Sequence, residues 1–339
     1  MKKQIMPLFS SSRRDVLVRT ATLAATAAMG CITTRLAYGQ STYPNRPIRL
    51  LVAVAPGGPT DNLARMIGQK LTQAWGQSVV IENKPGAGQV IGTGVVAKAA
   101  PDGYTLLMTT NTLAVNPWLF KNLPYDAQKD FVPITQVASS NLVLIVHPSV
   151  PVTTLQELLD YAKKYPGKLN YGSSGPSSSL RLAVELIKSM AHVDMVHVPF
   201  HGAGPLMTAI MGNVVQVAVV DVPTAKPHIK SGMVRGIAVT NNHREPSLPN
   251  LPTMSESGLP GYSAESWFGL IAPKGVPKPI VDQIQAEVAK ILRMPDVVNS
   301  LTSQGEEPVG SSPKAFAEFV DRELAKWRKV VEDEKISVQ

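Results

Sequence analysis

Apolar runs of strand length alternate along this chain with segments whose apolar side chains recur every four residues. "IRLLVAV", Ile48 to Val54, is the first run, and Leu63, Ile67, Leu71 and Trp75 mark the helical face that follows it. A continuous apolar run suits a strand buried on both faces. A four-residue repeat suits a helix with one buried face. The pattern then returns: "SVVIEN" as a strand, "GQVIGTGVVAKAA" as a small-residue helix, "YTLLMTT" as a strand. Farther on, "LNYG", "MVHV", "VQVAVV" and "VRGIAVT" read as short strands, with helical segments near 178–191, 205–211 and 224–231 between them. Thr154 and Glu157 have the spacing of a capping box. This alternation predicts an α/β fold with parallel sheets covered on both faces.

Two extended segments break the rhythm. Ile134 to Pro148 and Tyr262 to Pro273 are too long for one short strand, and each can pass from one domain to another. The chain then closes with two amphipathic helices, one through Ile280, Ile284, Val288 and Ile291, the other from Ser312-Pro313 through Phe316, Val320 and Trp327. Packed back on the first domain, these helices make the second domain an insertion. The expected division is residues 40–142 and 263–339 for lobe 1 and 143–262 for lobe 2. Two crossovers between two α/β lobes form a hinge with a cleft between them.

Residues 1–39 read as an export signal. Ser12-Arg13-Arg14 precede the apolar run Val16 to Met29, and Ala37-Tyr38-Gly39 suits a cleavage box, so the exported chain is expected to start near Gln40. The run is interrupted and shorter than the ~20 residues a spanning helix needs. The twin arginine suggests the Tat route, and Val16 where phenylalanine is usual keeps Sec export open. The leader carries Lys2, Lys3, Arg13, Arg14, Arg19 and Arg35 against Asp15, so the chain's formal +8 falls to +3 without it. Much of the basicity that would suggest nucleic acid therefore leaves with the leader, and no Lys/Arg block remains. Cys31 is the single cysteine and lies in the leader, so the exported chain has no disulfide or thiol chemistry. "AMGC" before it faintly resembles a lipoprotein box, which leaves lipidation as an alternative to cleavage.

The candidate site starts at "VAVAPGGPTDNLAR", where Gly57 and Gly58 separate the first strand from its helix. One reading is a tight turn with Thr60 or Asp61 as N-cap. The other is a bare backbone whose N–H groups face a ligand at the strand's carboxyl end. On that second reading a side chain at Gly58 is expected to crowd the loop. "NKPGAGQVIG" is a second loop of this kind. Its glycines miss the dinucleotide spacing, so Ala87 and Gly88 are expected to offer donors at a helix start rather than hold NAD. Thr109, Thr110 and Asn111 offer side-chain donors at the end of the third strand, or form only a polar loop. The serine-rich stretch Ser173 to Ser179 invites a hydrolase reading, but it lacks G-x-S-x-G and sequence places no partner histidine. Ser311 to Lys314 fits S-x-x-K only formally, and Ser312 before Pro313 reads as an N-cap. Arg181 is expected on a solvated helix face. His192, His197 and His201 lack metal-ligand spacing. Asp221 ends a strand where it meets the cleft, as a ligand contact or a helix cap.

"PIRLLVAVAPGGPTDNLAR", "VVIENKPGAGQVIGTGVVAKAAPDGYTLL", "HVPFHGAGPLMTAIMGNVVQ", "PHIKSGMVRGIAVT" and "LPTMSESGLPGYSAESWFGLIAPKGVP" resemble the Bug family of extracytoplasmic solute receptors of tripartite tricarboxylate transporters. The resemblance covers nearly all of the chain after the leader, in order. It implies a type II periplasmic-binding-protein fold and capture of a small organic carboxylate in the interdomain cleft, with no catalysis, metal or cofactor. A periplasmic monomer that hands its solute to membrane subunits follows from the same resemblance. With it, the glycine loops become a ligand cradle. The expected contacts are Gly57, Gly58, Thr60, Asp61, Ala87, Gly88, Thr109 and Asn111 on lobe 1, and Ser174, Ser178, His201 and Asp221 on lobe 2. The chain departs from the family at Phe200-His201, where "HVPYKG" is usual, and at Ser177 and Arg181, where Gly and His are usual. The rival function is an exported serine hydrolase using the Ser173–Ser179 loop.

Overall fold

Ile48–Val52 forms β1, and every side chain in it except that of Arg49 is buried. In the computed structural model, the described residues are 43–336 except 176, 177 and 201. The leader, Cys31 and His201 lie outside them. After β1, Pro59–Trp75 forms α1, which buries Leu63, Ile67 and Leu71 as their spacing predicts. Val79–Asn83 is β2, Val90–Ala97 is α2 and Thr105–Thr110 is β3. Thr112–Leu119 is a further helix, α3, which the sequence pattern does not mark. Pro117 inside it and the buried polar Asn116 conceal its period.

Phe131–Ser140 is β4 and Leu142–Val146 is β5. Leu155–Lys164 (α4) carries the capping box: Thr154 accepts from Glu157 N, and Glu157 reaches back to the N-cap backbone. Next come Asn170–Ser173 (β6), Ser179–Ala191 (α5), Val196–Pro199 (β7), Ala203–Met211 (α6), Val217–Asp221 (β8), Val222–Lys230 (α7) and Arg235–Val239 (β9). Ser266–Pro273 (β10) leads to Lys278–Ile291 (α8), Pro295–Ser303 (α9), Glu306–Pro308 (β11) and Pro313–Asp333 (α10). The tail after β10 therefore holds three helices rather than the two expected, with a short strand between the last two. Ser312 caps α10 by accepting from Ala315 N.

Two sheets result, ordered β11-β4-β10-β3-β1-β2 and β7-β6-β8-β5-β9. They are mixed, which corrects the expectation of parallel sheets. β1 pairs in parallel with β2 and β3, and β6 with β7 and β8. β10 runs antiparallel to β3 and β4, and β5 antiparallel to β8 and β9. The physical reason is the crossing. β4 ends at Ser140 and β5 starts two residues later in the other sheet, so β5 enters at the end where β8 stops. β10 likewise enters its sheet where β3 ends. A strand that enters from the cleft must run against neighbours that end there. Two lobes result, and they share the cleft at their strand carboxyl ends, where open α/β sheets place ligands.

Candidate functional site

A cavity of about 670 Å³ lies between the two sheets at those carboxyl ends. Helix starts form most of its wall. Pro59 and Thr60 of α1, Gly88 and Gln89 before α2, and Asn111 and Thr112 at α3 line it from the first sheet's side. Ser178 and Ser179 at α5, Gly202 and Ala203 at α6, and Pro223 and Thr224 in α7 line it from the second. Six helix N-termini therefore converge on one space. Each carries unpaired N–H groups and a partial positive charge. No lysine or arginine among the described residues lines the cavity.

The β1–α1 loop is pinned from behind. The Asp61 carboxylate accepts from Gly57 N at 2.9 Å, Arg65 Nε at 2.9 Å and Asn83 Nδ2 at 2.8 Å. Asp61 is 1% exposed and absent from the cavity wall. The Arg65 guanidinium, with Gly57 N and Asn83, holds its carboxyl down at about 2 despite burial. Its acceptors serve the loop, which corrects the expectation of a ligand contact. It is not the N-cap either: Gly58 takes that place. Gly58 has φ −84° and open space around its Cβ position, so a side chain there crowds nothing in the protein. Gly57 and Gly58 are not among the residues that line the cavity, whose wall at this loop is formed by Pro59 and Thr60. Asp61→Asn should lose the charged acceptor of Gly57 N and Arg65. Hydrogen bonds to charged groups are worth roughly 1.5–3 kcal/mol, so about 1–2 kcal/mol of stability should go. Denaturant unfolding checks this, and an unchanged midpoint would remove Asp61 as the pin.

The second loop is held in an unusual backbone conformation. Gly86, Ala87, Gly88 and Gln89 have φ of 134°, 46°, 61° and 76°. Two non-glycine residues in left-handed backbone cost energy that persists only where the surroundings hold them. Asn116 Nδ2 donates to Gly88 O at 2.9 Å, and Gln89 Nε2 donates to Thr110 Oγ1 at 3.0 Å. Gly88 and Gln89 reach the cavity, and Ala87 does not.

At the end of β3, pleating decides which threonine faces the cleft. Thr109 is buried in the sheet and off the wall, and Thr110 is on it with Thr112. Asn111 also touches the cavity, but its side chain is occupied. Nδ2 donates to Glu265 O and Oδ1 accepts from Trp267 N, which ties α3 to β10. On the second lobe Ser174 and Gly175 line the wall. The Ser178 hydroxyl caps α5, accepting from Arg181 N at 3.3 Å and donating to Gly175 O at 2.9 Å. Ser179 Oγ lies 2.7 Å from Ser266 Oγ, a hydrogen bond between the lobes. Asp221 precedes α7 as its N-cap residue without a side-chain capping bond. Ser140 Oγ donates to its Oδ1 at 3.3 Å. The sequence reading missed Gln89, Gly202, Ser266 and Glu306. Only Gly202, a glycine just before a helical segment, carried a signal that could have marked it.

Arg181 is not on a solvated face. Its Nε donates to Glu185 at 3.1 Å within a buried group that includes Lys188 and Tyr171. Beside it lies a serine–histidine pair that sequence did not place. Ser173 Oγ is 2.7 Å from His197 Nε2. Ser173 is 0% exposed and its hydroxyl also contacts Gly175 O at 3.0 Å. Burial, with the charge of Arg181, lowers the His197 pKa to about 4. The imidazole stacks on Tyr171 with ring centroids 4.9 Å apart. A sealed hydroxyl cannot meet a substrate carbonyl, so this pair braces the strand ends. No three His, Cys, Asp or Glu side chains among the described residues are placed to hold a metal.

Residues 63–336 match the family model described as tripartite tricarboxylate transporter family receptor. The chain is 35% identical to Protein BugT of Bordetella pertussis over 86% of this chain and 90% of that one. Among solved structures, an R. palustris protein with adipate is 36% identical with a TM-score of 0.74, covering 87% of this chain and 100% of that one. MatC from Rhodopseudomonas palustris with bound malate is 33% identical with a TM-score of 0.71, over 85% and 100%. The periplasmic binding protein BugD is 33% identical with a TM-score of 0.70, over 87% and 100%.

Proposed function

This chain belongs to the tripartite tricarboxylate transporter receptor family, and from that membership we propose that it captures a small organic carboxylate in the cleft between its lobes. It is a periplasmic solute-binding receptor. The observation that carries the carboxylate reading is the convergence of six helix N-termini on a cavity whose described lining has no cationic side chain. Such termini hold a carboxylate through N–H groups and the helix dipole. Adipate and malate, held by two structures similar to this one, support the same class of ligand.

The contacts are Thr60, Gly88, Gln89, Thr110 and Thr112 from lobe 1, and Ser174, Ser179 and Gly202 from lobe 2. Gly57, Gly58 and Asp61 set the shape of the β1–α1 loop beside that wall, and Asn111, itself on the wall, ties α3 to β10. The chain acts as a monomer, without covalent chemistry, and hands its solute to transporter membrane subunits. The leader of residues 1–39 directs export. Protein recovered from a periplasmic extract should begin near Gln40 by N-terminal sequencing and release an unmodified organic acid on denaturation. Back-titrated to ~100 Kd, that acid should add about 2.7 kcal/mol of stability. Protein that releases no acid, is stabilised by none in a screen, and hydrolyses esters would overturn the receptor reading in favour of a hydrolase.

A further inference from the structure

Two acids stand on the cavity floor where the chain crosses between lobes. Ser140 ends β4 and pairs across the ladder with Glu306 of β11. Two residues later, Leu142 opens β5 opposite Asp221 of β8. Both residues line the cavity. Glu306 is 4% exposed, and among the described residues its side chain forms no hydrogen bond or ion pair. Asp221 has the Ser140 hydroxyl, at 3.3 Å, and its own backbone N–H as hydrogen-bond donors, and no ion pair among the described residues.

Among the described residues, the neighbouring elements supply no counter-charge. β4 and β5 contain no ionisable residue. Asp296 of α9 is tied to Lys70. Glu307, next in β11, is engaged by Asn141 and His243. Lys226, His228 and Lys230 of α7 lie one turn or more past Asp221 and off the cavity wall. Both acids are held above the usual carboxylate range, Glu306 by burial and the charge of Asp221, Asp221 by burial.

A buried carboxylate is costly unless it is paired. Two of them in one site resist ionising together. A ligand that is only anionic meets this floor as like charge. A ligand ammonium meets it as the missing partner, with three N–H donors for two carboxyl groups. We propose that the Asp221–Glu306 pair reads a protonated amine, so that the receptor selects amino-carboxylates, the carboxylate on the helix N-termini and the ammonium on the cavity floor. This rests on the carboxylate reading above and names the ligand class within it.

The test is calorimetry at pH 8 with matched probes: 2-aminoadipate against adipate, aspartate against succinate, and 6-aminohexanoate against hexanoate. In at least one pair the aminated acid should bind at least tenfold tighter to the wild-type protein. Glu306→Gln and Asp221→Asn should each shrink that ratio toward one while circular dichroism and desamino-acid binding show the fold intact. Equal or tighter binding of the desamino acids by wild type overturns the proposal and leaves the carboxylate reading standing. So does a preference undiminished in both variants. Adipate binding that strengthens from pH 8 to pH 6 with no preference for the amine identifies a proton site instead, and also overturns it. If no acid of either kind binds, the proposal and the carboxylate reading fall together.

Discussion

Glu306→Gln is expected to stabilise the unliganded protein by up to about 3 kcal/mol at pH 8 and by little at pH 4.5. The Glu306 carboxyl titrates at about 7 in the folded chain against an ordinary 4.5, because burial and the charge of Asp221 disfavour its ionised form. A tenfold change in proton affinity between the folded and unfolded chain corresponds to about 1.4 kcal/mol. The direction follows from proton counts. Between pH 4.5 and 7 the folded state keeps a proton that the unfolded state has released, so stability falls as pH rises. Below 4.5 both states are protonated and the residue contributes nothing. Above 7 both are ionised and the full penalty is in place.

In the wild-type profile His197 opposes this slope. Its folded pKa of about 4 lies below the ordinary 6.5, so its contribution to stability rises with pH through that window. The single profile therefore hides both slopes, and the difference between variant and wild type isolates Glu306. Denaturant unfolding of the two proteins at half-unit steps from pH 4.5 to 8 measures it. Parallel curves would show that Glu306 titrates normally and that the cavity floor bears no buried charge.

That residue also shows where sequence reading stops. β1 and β8 were legible because each is an almost wholly apolar run, as a doubly covered strand must be. β3 was legible through its Leu106-Leu107-Met108 centre, whereas β5 was hidden inside the long segment from Ile134 to Pro148. The caps at Thr154 and Ser312 were legible because capping is local chemistry. The glycine loops were visible as strand-to-helix turns. Their division of labour was not, since Asp61 is turned to the back of its loop by Arg65 and Asn83, and Asn83 lies on another strand. Nor can sequence choose between Thr109 and Thr110, because β3 is buried on both faces and lacks the alternation that would orient it. Strand direction failed where the chain crosses lobes. Glu306 lies in a three-residue strand whose pattern, Glu-Glu-Pro, carries neither an apolar run nor an alternation that would mark it. Only its pairing with β4 carries it into the cleft.

Gly305→Ala is expected to hold the cleft open and to weaken solute binding at least about tenfold, roughly 1.4 kcal/mol. Gly305 lies between two cavity residues, Gln304 and Glu306, with φ +73°. A side chain in that left-handed conformation costs about 1–2 kcal/mol. The larger effect is steric. A Cβ at this position would overlap Cγ of Pro223. Pro223 stands in the first turn of α7, and its closed ring cannot swing away as a flexible side chain could. The segment after α9 belongs to the first sheet and α7 packs on the second, so the overlap is relieved by parting the lobes. The direct links that oppose this are hydrogen bonds and ion pairs, among them Ser179 with Ser266 and Ser140 with Asp221 at the cavity, His243 with Glu307 beside it, and Lys188 and Ser189 of α5 with Glu334 and Asp333 at the end of α10. A solute favours the closed arrangement only through contacts with both lobes, so parting them removes that preference. Solution scattering and calorimetry with the native acid check both consequences. The wild-type radius of gyration should fall on binding, and that of Gly305→Ala should stay at the larger value while its affinity drops. A variant that closes and binds like wild type would show that Pro223 yields to the methyl group. The Gly305–Pro223 contact would then play no part in bringing the lobes together.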